Sequence, residues 1–172
     1  MNAVLRRVLY PQGGPVAAFW RWIHRQLDPL LARAYLKYAA KSPAVMGMRV
    51  YLIAGDEAHA LARITEVLEY VARSPRHLSR LRRTLSSIAI GAPVRHGRYA
   101  PQIRACNLAV GELQALSTPA LAATLIHAVT EARLRCAVFD RRKASAEEWH
   151  RLPIICARAS SDFLDRVQRA AA

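Results

Sequence analysis

Apolar residues recur at helical spacing over most of the chain. Val16, Phe19, Trp20, Ile23, Leu27, Leu30, Leu31, Ala34, Tyr35 and Tyr38 return every three or four positions, the signature of an amphipathic helix. Asp28-Pro29 interrupts this stripe as a cap and a first-turn proline, so two short helices or one kinked helix are expected. Before them, residues 1 to 15 read as a loose arm ending in a Pro/Gly turn. Met46 to Ala54 is apolar but too short to assign to strand or helix. Gly55-Asp56 then gives a turn and a cap. The next helix is expected from about Glu57 to Arg73, with Ala60, Leu61, Ile64, Val67, Leu68 and Val71 inward. Ser74-Pro75 ends it and starts an arginine-rich helix.

Short strands are expected at Ile88 to Ile90 and at Ile103 to Leu108, around a polar turn region from Gly91 to Pro101. Thr118 as cap and Pro119 at the first helical position open a helix that should reach about Phe139. Asp140 to Ala144 reads as a charged loop. Ser145 and Glu148 form a capping-box pair at the start of the last helix, and Pro153 should kink or restart it. The pattern as a whole is α+β and predominantly helical. It divides into an N-terminal arm with amphipathic helices over residues 1–55 and a helical domain with a small sheet over 56–172.

Charge changes this picture. Of 172 residues, 26 are Lys or Arg against 12 Asp or Glu, a formal net charge of +14. Only Lys37, Lys41 and Lys143 are lysines. Such an excess draws a protein toward anionic surfaces, nucleic acid or acidic lipid, in a salt-dependent way. Arg76, Arg80, Arg82, Arg83, Arg95, His96, Arg98 and Arg104 form a basic belt in mid-chain. It is read either as an anion-binding surface or as a solvated helical face. Tyr99 is the belt's single aromatic residue, which argues against recognition by base stacking. Trp20, Arg21, Trp22 and Arg25 suit either an interfacial helix on an acidic membrane or an ordinary core-packed helix. No apolar run approaches the roughly 18 residues of a spanning helix. Cys106, Cys136 and Cys156 form no CxxC pair and leave an odd thiol under any pairing, which suits reduced cysteines in the cytoplasm. Neither a dinucleotide fingerprint nor a P-loop occurs among the seven glycines. Ser86, Ser87, Ser160 and Ser161 lack the setting of an activated nucleophile.

The most suggestive stretch is Leu125-Ile126-His127-Ala128-Val129-Thr130-Glu131-Ala132-Arg133-Leu134. His127 and Glu131 stand four apart, on one helix face, where an imidazole and a carboxylate can share a zinc ion or simply bond each other. The stretch resembles the metal-binding helix of bacterial zincin-like metallopeptidase domains, which reads His-Glu-x-Thr-His-Ala-Arg-Leu. Thr130, Ala132, Arg133 and Leu134 match it, with His127 at the first ligand position. The order of an arginine-rich helix, strands at Ser87 to Ile90 and Ile103 to Leu108, and then the helix is also similar. So are Arg151, Cys156 and Phe163 in the closing helix, and the resemblance spans about residues 57–168.

The resemblance implies a zincin-like fold in which Ala128 occupies the general-base position and Glu131 that of the second histidine. Pro153 falls near the expected third ligand. A methyl group accepts no proton, so the usual activation of a metal-bound water is missing. The expectation is a non-catalytic relative that binds a protein or other anionic partner through its basic surface, with no cofactor required. The alternative is a metal-dependent hydrolase in which His127 and Glu131 hold zinc, manganese or iron with His150, or with Glu147 or Glu148. A third reading is a small basic helical protein that binds nucleic acid or a membrane surface.

Overall fold

A computed structural model describes Ala34, Lys37 and residues 40–91, 99–101, 103–135 and 145–171. The chain divides into two units, Met1–Lys37 and Tyr38–Ala172. The expected arm and the helices bearing Trp20, Arg21, Trp22 and Arg25 lie outside the described residues, as do Arg95, His96, Arg98, Cys136 and the expected helical extension to Phe139.

The second unit is α+β and predominantly helical, with a small sheet. Its strands are β1 (Ala40–Val45), β2 (Met48–Leu52), β3 (Ser87–Ile90), β4 (Tyr99–Ala100) and β5 (Ala105–Leu108). Its helices are α1 (Glu57–Ala72), α2 (Pro75–Thr84), α3 (Val110–Ala115), α4 (Thr118–Leu134) and α5 (Ala146–Ala171). The sheet order is β1-β2-β3-β5-β4. β2, β3 and β5 run parallel, and β1 and β4 add antiparallel edges.

The undecided segment around Met46 is therefore a hairpin. Val45 pairs with Met48 across Met46 and Gly47, both at positive φ (48° and 83°). That geometry suits the twist of a two-residue hairpin loop, where Asn or Gly is the usual residue at the position Met46 holds. The hairpin joins the same sheet as β3 and β5, so the compact unit begins at Tyr38 and takes in strands that the pattern had grouped with the N-terminal part.

Alternation in the parallel strands sets the core. Val50, Ile88 and Cys106 share one register row, and Leu52, Ile90 and Leu108 the next. All six are buried in one cluster with Ile64, Val67, Leu68 and Val71 of α1, Leu81 of α2, Leu121, Leu125 and Val129 of α4, and Phe163 and Val167 of α5. Five of the six α1 positions read as inward are buried there; Leu61 is partly buried and packs against the cluster.

Local signals place the helix ends. Asp56 caps α1 by accepting from Ala58 N–H at 3.0 Å. Ser145 and Glu148 cap α5 reciprocally, at 2.7 and 3.2 Å. At α4 the cap is Ser117, one residue before the expected Thr118. Thr118 Oγ1 instead accepts from Arg63 of α1 at 3.1 Å. Arg63 also donates to Leu116 O at 2.8 Å and pairs with Glu66, which ties α1 to the α3–α4 connection. α5 runs unbroken through Pro153. The proline lies on the exposed face, and burial of Leu152 and Cys156 on either side holds the helix through the missing N–H.

Gly91 closes β3 at φ +82°, and a Cβ there would come within 2.9 Å of Ala54 N. Its N–H donates to Leu108 O at 2.8 Å, so the backbone is held at that approach. Gly91→Ala is expected to lower the unfolding free energy by about 2 kcal/mol, read from the urea midpoint at unchanged m-value. An unchanged midpoint would contradict the close approach.

Candidate functional site

His127 and Glu131 lie on one helix, α4. Glu131 is buried at 5% exposure. Its Oε2 accepts from Tyr99 N–H of β4 at 3.2 Å, and its Oε1 lies 3.3 Å from Arg135 Nη1. The carboxylate thus joins the edge strand to the end of α4. Arg135 is itself stacked on Trp149 of α5, its Cζ 5.4 Å from the ring centroid. His127 is half-buried, and Ala128 is fully buried, with only a methyl at the general-base position.

The candidate third donors have other tasks. Glu148 bonds Ser145 in the cap, and Glu147 pairs with Arg151 at 2.5 Å. His150 is exposed on the first turns of α5. Among the described residues, no three His, Cys, Asp or Glu side chains come together as a metal site. Burial, reinforced by the Glu131 charge, pushes the Cys156 thiol up to about 11, so it stays protonated at neutral pH and is a poor metal ligand. The described donor set does not fit a zinc ion.

The basic belt separates into residues with different surroundings. Arg104, at φ 47°, donates through Nη2 to Arg83 O at 2.7 Å and Thr84 O at 3.3 Å. This closes the carbonyl end of α2, where a cation is also favoured by the helix dipole. Arg83 bonds Ser79 Oγ at 2.9 Å. Arg82 lies by the hairpin turn, its Nε 4.0 Å from where a Cβ on Gly47 would stand.

Arg76 and Arg80, one helical turn apart, line a cleft with His77, Ile126, Val129 and Thr130 of α4 and Ala159, Asp162 and Arg166 of α5. Its volume is about 180 Å³. Burial first, then the charges of Arg133, Arg76, Arg83 and Arg166, hold the Arg80 guanidinium below its ordinary range. Burial first, then Arg80, Arg166 and Arg76, do the same to the His77 imidazole. His77 shares a 2.7 Å hydrogen bond with Ser74 Oγ through Nδ1 and rests edge-on against Phe163 at 5.1 Å. The belt did not contain Arg133 or Arg166. They lie 50 and 83 residues from Arg83 in sequence, and the packing of α4 on α2 and of α5 on α4, which also sets Phe163 against His77, brings them close.

A larger cavity of about 270 Å³ lies at the carboxyl ends of β2 and β3, among Leu52, Gly55, His59, Ile90, Val110 and Leu113. Its walls are mostly apolar, and Asp56, its one carboxylate, caps α1. Among the described residues no helix is long and apolar enough to cross a membrane. No protein-family model, curated protein or solved structure matches the chain.

Proposed function

We propose that Tyr38–Ala172 is a non-catalytic domain of zincin-like kind that binds an anionic partner through its basic surface. One observation carries the reading. The carboxylate that would have to serve a metal is buried and engaged by the Tyr99 amide and the Arg135 guanidinium. The neighbouring position that would supply the general base is a buried methyl. Turning such a helix to hydrolysis requires a proton acceptor beside the metal-bound water, and its loss typically lowers rate by roughly 100- to 10,000-fold.

The partner half of the reading rests on charge. Among the described residues, the guanidinium groups of Arg76, Arg80, Arg133 and Arg166 make no ion pair or hydrogen bond, and Arg76, Arg133 and Arg166 stand close enough to Arg80 to depress its titration. Cations in excess over the single nearby carboxylate, Asp162, repel one another, and a bound anion relieves that repulsion.

Elemental analysis of the native protein together with a peptide-cleavage assay tests the reading. Metal well below one equivalent is expected, with no cleavage above buffer after zinc or manganese is added. Retention on immobilised heparin should fall steeply with salt. Stoichiometric metal that is lost on His127→Ala, accompanied by cleavage, would overturn the reading in favour of a hydrolase with a His/Glu ligand set.

A further inference from the structure

We propose that the cleft between α2, α4 and α5 is a binding site for a phosphate monoester dianion, seated between Arg76, Arg80 and Arg166 and coupled to protonation of His77. This rests on the reading above that the basic surface serves an anion, and it names the anion and the place. Guanidinium groups from two helices line a cavity of about 180 Å³, with Arg133 of α4 close enough to act on Arg80. Several convergent guanidinium forks match a compact, doubly charged tetrahedral anion better than a single carboxylate, because each fork pairs two oxygens.

The surroundings disfavour an extended polyanion in this cleft. A nucleic-acid backbone needs a track of cations. Next along the chain, however, Arg82 lies by the hairpin turn, Arg83 bonds Ser79, and Arg104 holds the end of α2. The remaining wall is Ile126, Val129 and Ala159, which suits the carbon stem of an ester rather than another charge.

His77 supplies the coupling. The groups around it are Ser74, Arg76 and Arg80 on its own stretch of chain, Thr130 from α4, and Asp162, Phe163 and Arg166 from α5, with Arg133 acting on Arg80 beyond them. With the cleft empty, burial and the arginines oppose its protonation. A bound dianion reverses the sign of the local field and favours the imidazolium. Affinity for a dianion that does not itself titrate therefore rises as pH falls toward the histidine range, and its binding takes up a proton; a phosphate monoester, with a second pKa of about 6, loses part of this gain to its own protonation. Asp162 works against the anion, so removing its charge should tighten binding.

Titration calorimetry at constant ionic strength tests this, with inorganic phosphate, phenyl phosphate, a neutral peptide carrying one phosphoserine, and sulfate as probes. Saturable binding at one site is expected. Arg80→Ala and Arg166→Ala should each weaken it about tenfold, since each removes a charge-assisted contact. Arg82→Ala, which removes the same charge outside the cleft, should leave it unchanged, and Asp162→Asn should strengthen it. Sulfate does not titrate in the working range, so its affinity should rise about tenfold between pH 8 and pH 5, and this rise should vanish in His77→Gln.

Preference for phenyl phosphate supports the site with a small ester as its source. Preference for the phosphopeptide supports it with a modified protein as its source. Non-saturable binding, or equal weakening by Arg82→Ala, overturns the site. Sulfate binding indifferent to pH overturns the coupling to His77. Heparin retention that persists while phosphate fails to bind sinks the cleft alone and leaves the proposed function standing.

Discussion

Glu131→Ala should lower the unfolding free energy of the domain by about 3 kcal/mol, within the range for removing one partner of a buried charge pair. The wild-type carboxylate meets a strand amide on one side and a guanidinium on the other. Truncation leaves the Tyr99 N–H without this acceptor and the largely buried Arg135 without its counter-charge. Glu131→Gln keeps an acceptor for Tyr99 and loses only the charge, so a smaller loss, about 1 kcal/mol, is expected. A chelator separates this role from ligation. A structural carboxylate gives the same loss with and without EDTA, and wild-type Tm is unmoved by it. A metal ligand gives a wild-type Tm that drops in EDTA and a variant that no longer responds. A loss under 0.5 kcal/mol would show that the edge strand does not depend on this side chain.

The same residue shows what the sequence could and could not convey. The spacing of His127 and Glu131 correctly put both on one helix, because a helix is local and its period is visible. The partner of Glu131 is a two-residue edge strand, Tyr99–Ala100, inside a stretch that reads as polar turn. Nothing within that stretch announces a strand, since β5 and Glu131 hold it from outside. The α1 core face and the Ser145/Glu148 cap were legible for the opposite reason: each is complete within a few residues.

Pro153 shows a local rule overridden. An interior proline should break a helix, yet burial of Leu152 and Cys156 carries α5 through it. The Met46–Gly47 turn was hidden because methionine gives no turn signal, although the backbone there is left-handed. The cleft was half legible. Arg76 and Arg80 stand out as part of an arginine run, whereas Arg166 looks like any exposed residue of a long helix until α5 is packed against α2.

Phe163→Ala should have the largest effect of any single truncation considered, about 4 kcal/mol, within the range for deleting a fully buried aromatic ring. Phe163 is among the largest side chains with no exposed surface. Its ring meets Tyr70 of α1 edge-on at 6.2 Å and His77 of α2 at 5.1 Å, so one side chain on α5 fixes two other helices. The lost terms are apolar burial, two edge-to-face contacts and the residual cavity. Domains of this size have a total stability of about 5–15 kcal/mol, so the variant should be partly unfolded at 37 °C. Phe163→Leu refills most of the space and should lose about half as much.

Because the ring also backs His77, the leucine variant carries a second reading. A loosened imidazole becomes better solvated, which weakens the burial that now opposes its charge. Its pKa, followed by NMR, should move up toward the ordinary histidine value. A stability loss from Phe163→Leu without any change in His77 titration would mean that the ring holds α5 in place but does not set the electrostatics of the cleft.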